Sequence, residues 1–380
     1  MKRRSWLIGT GIAVTLIAGL VGGAGSQAPD TQEPLSSVWR RPLRRTIALA
    51  VSPDGQRVVA VTLTGRVVCL DGEGNPVWEK VIPGADRAAV SRLGELTAVY
   101  SVRRPRSRKV HFLDGLGRIL HVSEPADPVE SVTLAPGAQM AAVAAGAKIT
   151  FVVLDGDGVR EREVGVGAEP RQVQFGPEDT VYVACRKPDQ VLRLRSSGRT
   201  VWRSGHGPVD YSISASEDGG TVAVACQPQP DQVQVSLLTA VQRPVWTTAL
   251  PGRSARVRLS SRGQAVVVAY QHRLEHSRQS RYERRLAYIR GADEKPWFKG
   301  GAYSAPLSVA VDRFGDWVVA LDTHVRAGSP DFRLYGRNGE RLWLYSAPAH
   351  VLLASPSLDG RSIAAYRADG VLEMIRVATP

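Results

Sequence analysis

One string in the 380-residue chain has the form of a catalytic motif. His272 to His276, "HRLEH", fits H-x-x-E-H, in which two histidines hold zinc while a glutamate activates water. That chemistry needs a helix, where positions i and i+4 share a face. Here the string lies between the apolar runs "QAVVVAY" and "RRLAYIRG", which read as strands, so it falls at the tip of a long basic hairpin. "DGDG" at 155–158 begins like a calcium loop but lacks the length and the closing acid of one, and reads as a tight turn. Cys69, Cys185 and Cys226 sit in the apolar runs "VVCL", "VYVACR" and "VAVACQ", where thiols behave as small buried hydrophobes. Their odd number argues against a disulfide framework. There is no phosphate-cradling glycine loop and no GxSxG elbow. No catalytic, cofactor-binding or metal-binding residue is assigned, and no cofactor is expected.

The elements that would position any site are short strands. Hydrophobic residues make up 43% of the chain, and 37 glycines with 24 prolines suit many tight turns. No sustained helical spacing follows residue 25. The first 25 residues differ: "MKRR" precedes about 20 uncharged residues, Ser5 to Ala24, enough for one transmembrane helix. An uncleaved signal-anchor is the first expectation for 1–25 and a removed signal peptide the second, since small residues near Ala24 would permit cleavage. No cysteine follows for a lipid anchor. Residues 26–35 then form a linker, and the body at 36–380 is expected outside the cytoplasm, tethered to the cell membrane, or secreted or periplasmic after cleavage.

A repeat of roughly 40 to 50 residues organises that body, a period typical of propellers and solenoids. "TIALAVSPDGQRVVAVTLTGRVVCLDGEGNPVWEKVI", Thr46 to Ile82, parses into four strands, A to D, joined by Asp-Gly hairpin signals. The frame recurs with A strands near Ala88, Glu130, Arg171, Asp210, Ala255, Leu307 and Val351. The last copy supplies A, B and C and then ends, whereas "LSSVWRRPL" at 35–43 is a D strand with no A, B or C before it. Joined, they complete one blade and leave no open edge. The expected fold is therefore an all-β, eight-bladed β-propeller closed by its N-terminal strand, with seven blades as the runner-up because the second and third copies lack tryptophan.

Trp39, Trp78, Trp202, Trp246, Trp297 and Trp343 occupy the same place in their D strands, where a large ring can pack on the next blade. "LDGEGNPVWE" and "LYGRNGERLWLY" resemble the tryptophan-docking repeat of quinoprotein (PQQ-like) propellers. "VSPDGQRVVAV" and "SPSLDGRSIAAY" resemble WD-repeat or TolB-type blades. The resemblance spans about 36–380 and implies eight blades; the quinoprotein family includes outer-membrane assembly lipoproteins as well as dehydrogenases. Its dehydrogenases hold their cofactor with adjacent cysteines and calcium-binding acids, which this chain lacks.

The formal charge is +13, with arginines clustered at 40–45, 103–109 and 271–285. Such patches favour anionic partners. The A–B and C–D turns are short and uniform, while the B–C loops on the opposite face vary in length and carry two of the clusters. Variable loops on a rigid scaffold are where binding usually resides. The expected partner surface comprises Arg273, Arg278, Arg281, Arg284 and Arg285 with Arg103, Arg104 and Arg106, on a face turned away from the membrane. The expected function is a non-catalytic scaffold for an envelope protein or an anionic envelope polymer; nucleic acid is an unlikely partner in that compartment. Two alternatives stand: a quinoprotein-like oxidoreductase or a hydrolase using the central channel, and a sensor ectodomain acting through a partner.

Overall fold

The computed structural model describes residues 35–102, 108–155, 158–205, 212–273, 282–291, 296–301, 308–321 and 332–378. Their strands form eight four-stranded antiparallel sheets. Seven are meanders of consecutive strands, spanning 46–81, 87–123, 129–165, 169–205, 212–251, 253–301 and 308–345. The eighth takes three strands from the C-terminus and one from the N-terminus, so the fold is an eight-bladed β-propeller and not the seven-bladed alternative. The expected transmembrane helix and linker, 1–34, lie outside the described residues; within them no helix is long and apolar enough to cross a membrane.

Each strand's sequence follows from its depth in the blade. The A strands form an inner ring, each beside the next, with Thr46–Val51 of the first blade meeting Val351–Pro356 of the last. B strands lie between neighbouring blades and are covered on both faces, so they read as unbroken apolar runs: Met140–Ala145, "MAAVAA", is buried throughout. D strands have an open outer edge and are polar; Gly158–Gly165, "GVREREVG", is mostly exposed. The A–B turns are knit by one recurring device. Ser52, Ser216 and Ser357 donate through Oγ to Asp54, Asp218 and Asp359 at 2.5, 2.6 and 2.6 Å. Each serine also accepts the amide N–H five residues on, from Arg57, Thr221 and Ser362.

The outer rim is bound by the tryptophans. Trp39 donates its indole N–H across the seam to the Gly72 carbonyl at 3.0 Å, and its ring covers Gly74, whose φ of +84° and lack of a side chain allow the approach. Trp78 lies likewise over Gly117. Trp202 donates to the Ala240 carbonyl at 2.9 Å, and Trp297 donates to that of Arg337 at 2.8 Å while stacking on Tyr288. Trp246 is buried and Trp343 half-buried in their own inter-blade clusters. In the second blade His121 takes the tryptophan's place, stacked on Phe112 and 2.7 Å from a Glu161 oxygen of the third.

The seam is closed by Leu35–Pro42 pairing antiparallel with Val371–Val377, Trp39 opposite Met374. At its centre Glu373 is fully buried. Its carboxylate accepts hydrogen bonds from Arg40 at 3.0 Å, Arg367 at 3.1 Å and the Tyr345 hydroxyl at 2.6 Å. Those donors come from the closing strand, the last blade and the one before it. Burial alone would push the Glu373 carboxyl up, but hydrogen bonds from Tyr345, Ser37, Arg40 and Arg367 outweigh it and hold it below the ordinary 4.5. A depressed carboxyl stabilises the fold fully above the unfolded-state value and loses that contribution as pH falls through the folded one. Glu373→Ala should therefore cost about 3–5 kcal/mol in chemical denaturation, as expected when a buried ion pair loses one partner. The wild-type protein should lose more stability than the variant as pH drops below about 4.5; parallel pH profiles would contradict the assignment.

Candidate functional site

The inner ring encloses a cavity of about 390 Å³. Leu49, Val90, Leu134, Phe175, Val311 and Pro356, from six different blades, give it an apolar wall. Thr133, Gln174 and Ser355 add neutral polar groups. Its charged lining is Arg92, Glu217 and Arg258. Polar and apolar surface share the lining about equally, whereas small-molecule sites are mostly apolar.

The A–B end of this channel is bridged. Arg92, in the second blade's turn, forms an ion pair of 2.6 Å with Glu217 in the fifth blade's turn, reaching across the ring. Ser261 of the sixth donates to the Leu358 carbonyl of the eighth at 3.0 Å. Neighbouring turns are also tied by backbone bonds, Glu217 N–H to Ser261 O at 2.8 Å and Asp359 N–H to Pro53 O at 3.2 Å. A smaller cavity of about 110 Å³ shares Arg92 and Glu217 and adds Asp54, Arg313 and Asp359.

Arg258 stands apart from that paired network. It lies on the A strand Arg253–Leu259, where exposed and buried residues alternate and Arg256 and Arg258 share the exposed face. Arg258 is exposed, and the surface it exposes is turned to the channel. Partial loss of solvation within the ring, with Arg256 as a smaller contributor, pushes Arg258 below the ordinary arginine value. Neither guanidinium makes a hydrogen bond or an ion pair among the described residues. Sequence reading passed over both arginines, though the alternation in "SARVRL" marks them as one face of a strand.

The structure distributes the sequence-derived arginines differently. Arg103, Arg104, Arg106, Arg278 and Arg281 lie outside the described residues. Arg273 ends the B strand Val266–Arg273, opposite Tyr282, and Arg284 lies on the C strand opposite Gln271. Arg285 is half-buried and bonds Glu283 at 3.2 Å. His272 is on the same B strand, not on a helix, with Nδ1 2.7 Å from the Pro251 carbonyl oxygen. No group of three or more metal-ligating side chains occurs among the described residues. The six tryptophans are placed along the rim, none among the residues that line the channel.

The sequence matches no family model and no curated protein. Solved β-propellers do resemble it. The Dos1 propeller has a TM-score of 0.68 and 11% identity, covering 91% of this chain and 96% of its own. The β-propeller domain of Cps50 (Swd1) from Myceliophteria thermophila has a TM-score of 0.52 and 14% identity, covering 91% of this chain and all of its own. At such identities the likeness establishes the fold alone, a β-propeller; the quinoprotein resemblance finds no counterpart in it.

The cysteines are free and buried, their thiols pushed up by burial to about 12, about 12 and about 11 for Cys69, Cys185 and Cys226. Thiolate, not thiol, is the nucleophile. In the native protein at pH 8 all three should resist alkylation, and all three should react after unfolding in denaturant. Fast labelling of any one in the native state, read by intact mass, would contradict the burial.

Proposed function

We propose that the chain is a non-catalytic binding module, a rigid propeller that presents its B–C loops to a protein partner or an anionic envelope polymer. The observation that carries this reading is the inequality of the two faces. On the A–B face the turns are uniform and tied to one another across the axis by Arg92–Glu217 and Ser261–Leu358. On the other face the B and C strands run on beyond the blade. Thr221–Gln229 and Gln232–Thr239 form an extended hairpin, and Val266–Arg273 pairs with Tyr282–Ile289 out to Arg273–Tyr282. The sixth-blade hairpin carries the arginine cluster. Extended, charged loops on a framework that cannot deform are suited to recognition.

A membrane tether with the propeller beyond the cytoplasm completes the proposal, supported by the order of charged and uncharged residues in 1–25. If this holds, the full-length chain should stay with the membrane pellet after alkaline carbonate washing, and added protease should degrade the propeller in cells whose inner membrane is intact. Release by carbonate or protection from protease would refute the tether.

The partner surface has its own test. Replacing Arg278, Arg281 and Arg284 together by glutamate should reduce partner recovery after crosslinking in intact cells at least tenfold. The thermal unfolding midpoint should stay within about 2 °C, which keeps a loss of binding distinct from a loss of folding. Undiminished recovery would move the binding surface elsewhere.

A further inference from the structure

In the arginine run at 40–45, two members are committed to the fold and two are not. Arg40 bonds Glu373, and Arg41 bonds the Gly74 carbonyl. Arg44 and Arg45 are exposed, and their guanidiniums make no hydrogen bond or ion pair among the described residues. They lie in the connection from the closing strand to the first A strand, between two B–C turns. The Leu43 amide bonds the Gly370 carbonyl of the eighth blade, and the Leu63 amide of the first blade bonds the Arg45 carbonyl, at 2.8 Å each. Large apolar side chains on the same segments face solvent. Leu63 is 54% exposed, and Leu352, in a bulge of the eighth A strand beside the first, is 47% exposed. The partly exposed carboxylates here, Asp369 and Glu79, are engaged by Arg367 and Arg66.

Backbone geometry adds an independent observation. Arg45 lies at φ +59°, in the left-handed region that L side chains adopt at a cost. The connections from first to second and from third to fourth blade put glycines there, Gly84 at +84° and Gly167 at +67°. Glycine would suit this turn better, so the fold gains nothing from the arginine; strained backbone of this kind gathers at functional positions.

We propose that the seam between the eighth and first blades docks an extended protein segment with acidic and apolar side chains on one face. Its carboxylates meet Arg44 and Arg45, and its apolar groups cover Leu63 and Leu352. Arginine beside apolar surface is the composition of protein interfaces. A polyanion would satisfy the arginines and leave the leucines wet. The inference rests on reading the B–C side as the binding face and gives the partner's chemistry. Its residues lie on other blades than the sixth-blade arginines, so the two can fail separately.

Fluorescence anisotropy tests it with the full-length chain in non-ionic detergent and labelled acetyl-Glu-Ser-Leu-Ser-Glu-Ser-Leu, which when extended puts both acids and both leucines on one face. Its counterparts carry lysine for glutamate or serine for leucine; labelled polyphosphate is the polymer probe. The acidic, leucine-containing peptide should bind at least fivefold more tightly than any of the three. Arg44→Ser with Arg45→Gly should weaken it at least fivefold, and Leu63→Ser, which changes no charge, at least threefold. Arg45→Gly alone should melt no lower than wild type. Replacing Arg278, Arg281 and Arg284 by glutamate should leave this affinity within twofold. Absence of the peptide preference in the wild-type protein would overturn the proposal, as would undiminished binding by a folded double variant. Tighter binding of polyphosphate, lost in the double variant, would assign the patch to a polymer and overturn the protein segment. Loss of the peptide in the sixth-blade variant but not in the double variant would leave the binding face standing and the seam inference refuted.

Discussion

The closing strand is the constraint on which the remaining structure depends. Eight blades can form a ring only if the first and last meet, and here that meeting is made by Leu35–Pro42 lying against Val371–Val377. The contact is more than a ladder of backbone bonds. Glu373 draws donors from three segments distant in sequence, Arg40, Tyr345 and Arg367, into one buried cluster. Trp39 and Arg41 carry the same strand forward to the first blade, bonding the Gly72 and Gly74 carbonyls at 3.0 Å each. The strand is therefore held on both sides of the seam. Loss of its register would expose the C strand of the last blade as an unpaired edge, a template for aggregation.

A ring so closed constrains its axis. The A strands cannot move apart without opening a seam, so the channel has a fixed bore and its lining residues keep fixed positions. Turn-to-turn bonds then differentiate the two ends. Arg92 and Glu217 are partly exposed, and such a pair in isolation contributes little to stability. Its geometric effect is larger than its energy, because it joins blades that are not neighbours. On the opposite face the B–C hairpins vary in length.

Architecture was legible in the sequence because it is written in repeated, local signals. The orphan "SVWRRPL" and the truncated last copy fixed eight blades over seven, and A strands were placed within one or two residues of where they begin. Two starts were set two residues late, Arg171 for Glu169 and Ala255 for Arg253; the register shifts beside them do not account for this, since Thr46/Ala48 and Val351/Leu353 carry the same shift where the starts agree. The Glu373 cluster was illegible for another reason: its members are separated by up to 333 positions and none belongs to a motif. Arg258 was hidden differently again. Alternation showed that it shares a face with Arg256, but only closure of the ring decides that this face is turned to a channel and not to the outer surface.

Two buried arginines in the same molecule show what this fold does with such charges. Arg367 bonds Glu373 and Asp369, and its charge is neutralised where it sits. Arg193, buried in the fourth blade, has no carboxylate but satisfies its guanidinium with neutral oxygens: Thr180 at 2.8 Å, the Ala240 carbonyl at 2.8 Å and that of Pro177 at 3.1 Å. It also ties the fourth blade to the fifth, so it has a structural role. Arg258 differs from both: its side chain is exposed to the channel, where water can solvate it, so the chain need not supply acceptors. The fold thus provides partners for its arginines where accessibility is lost and leaves them to solvent where it is kept.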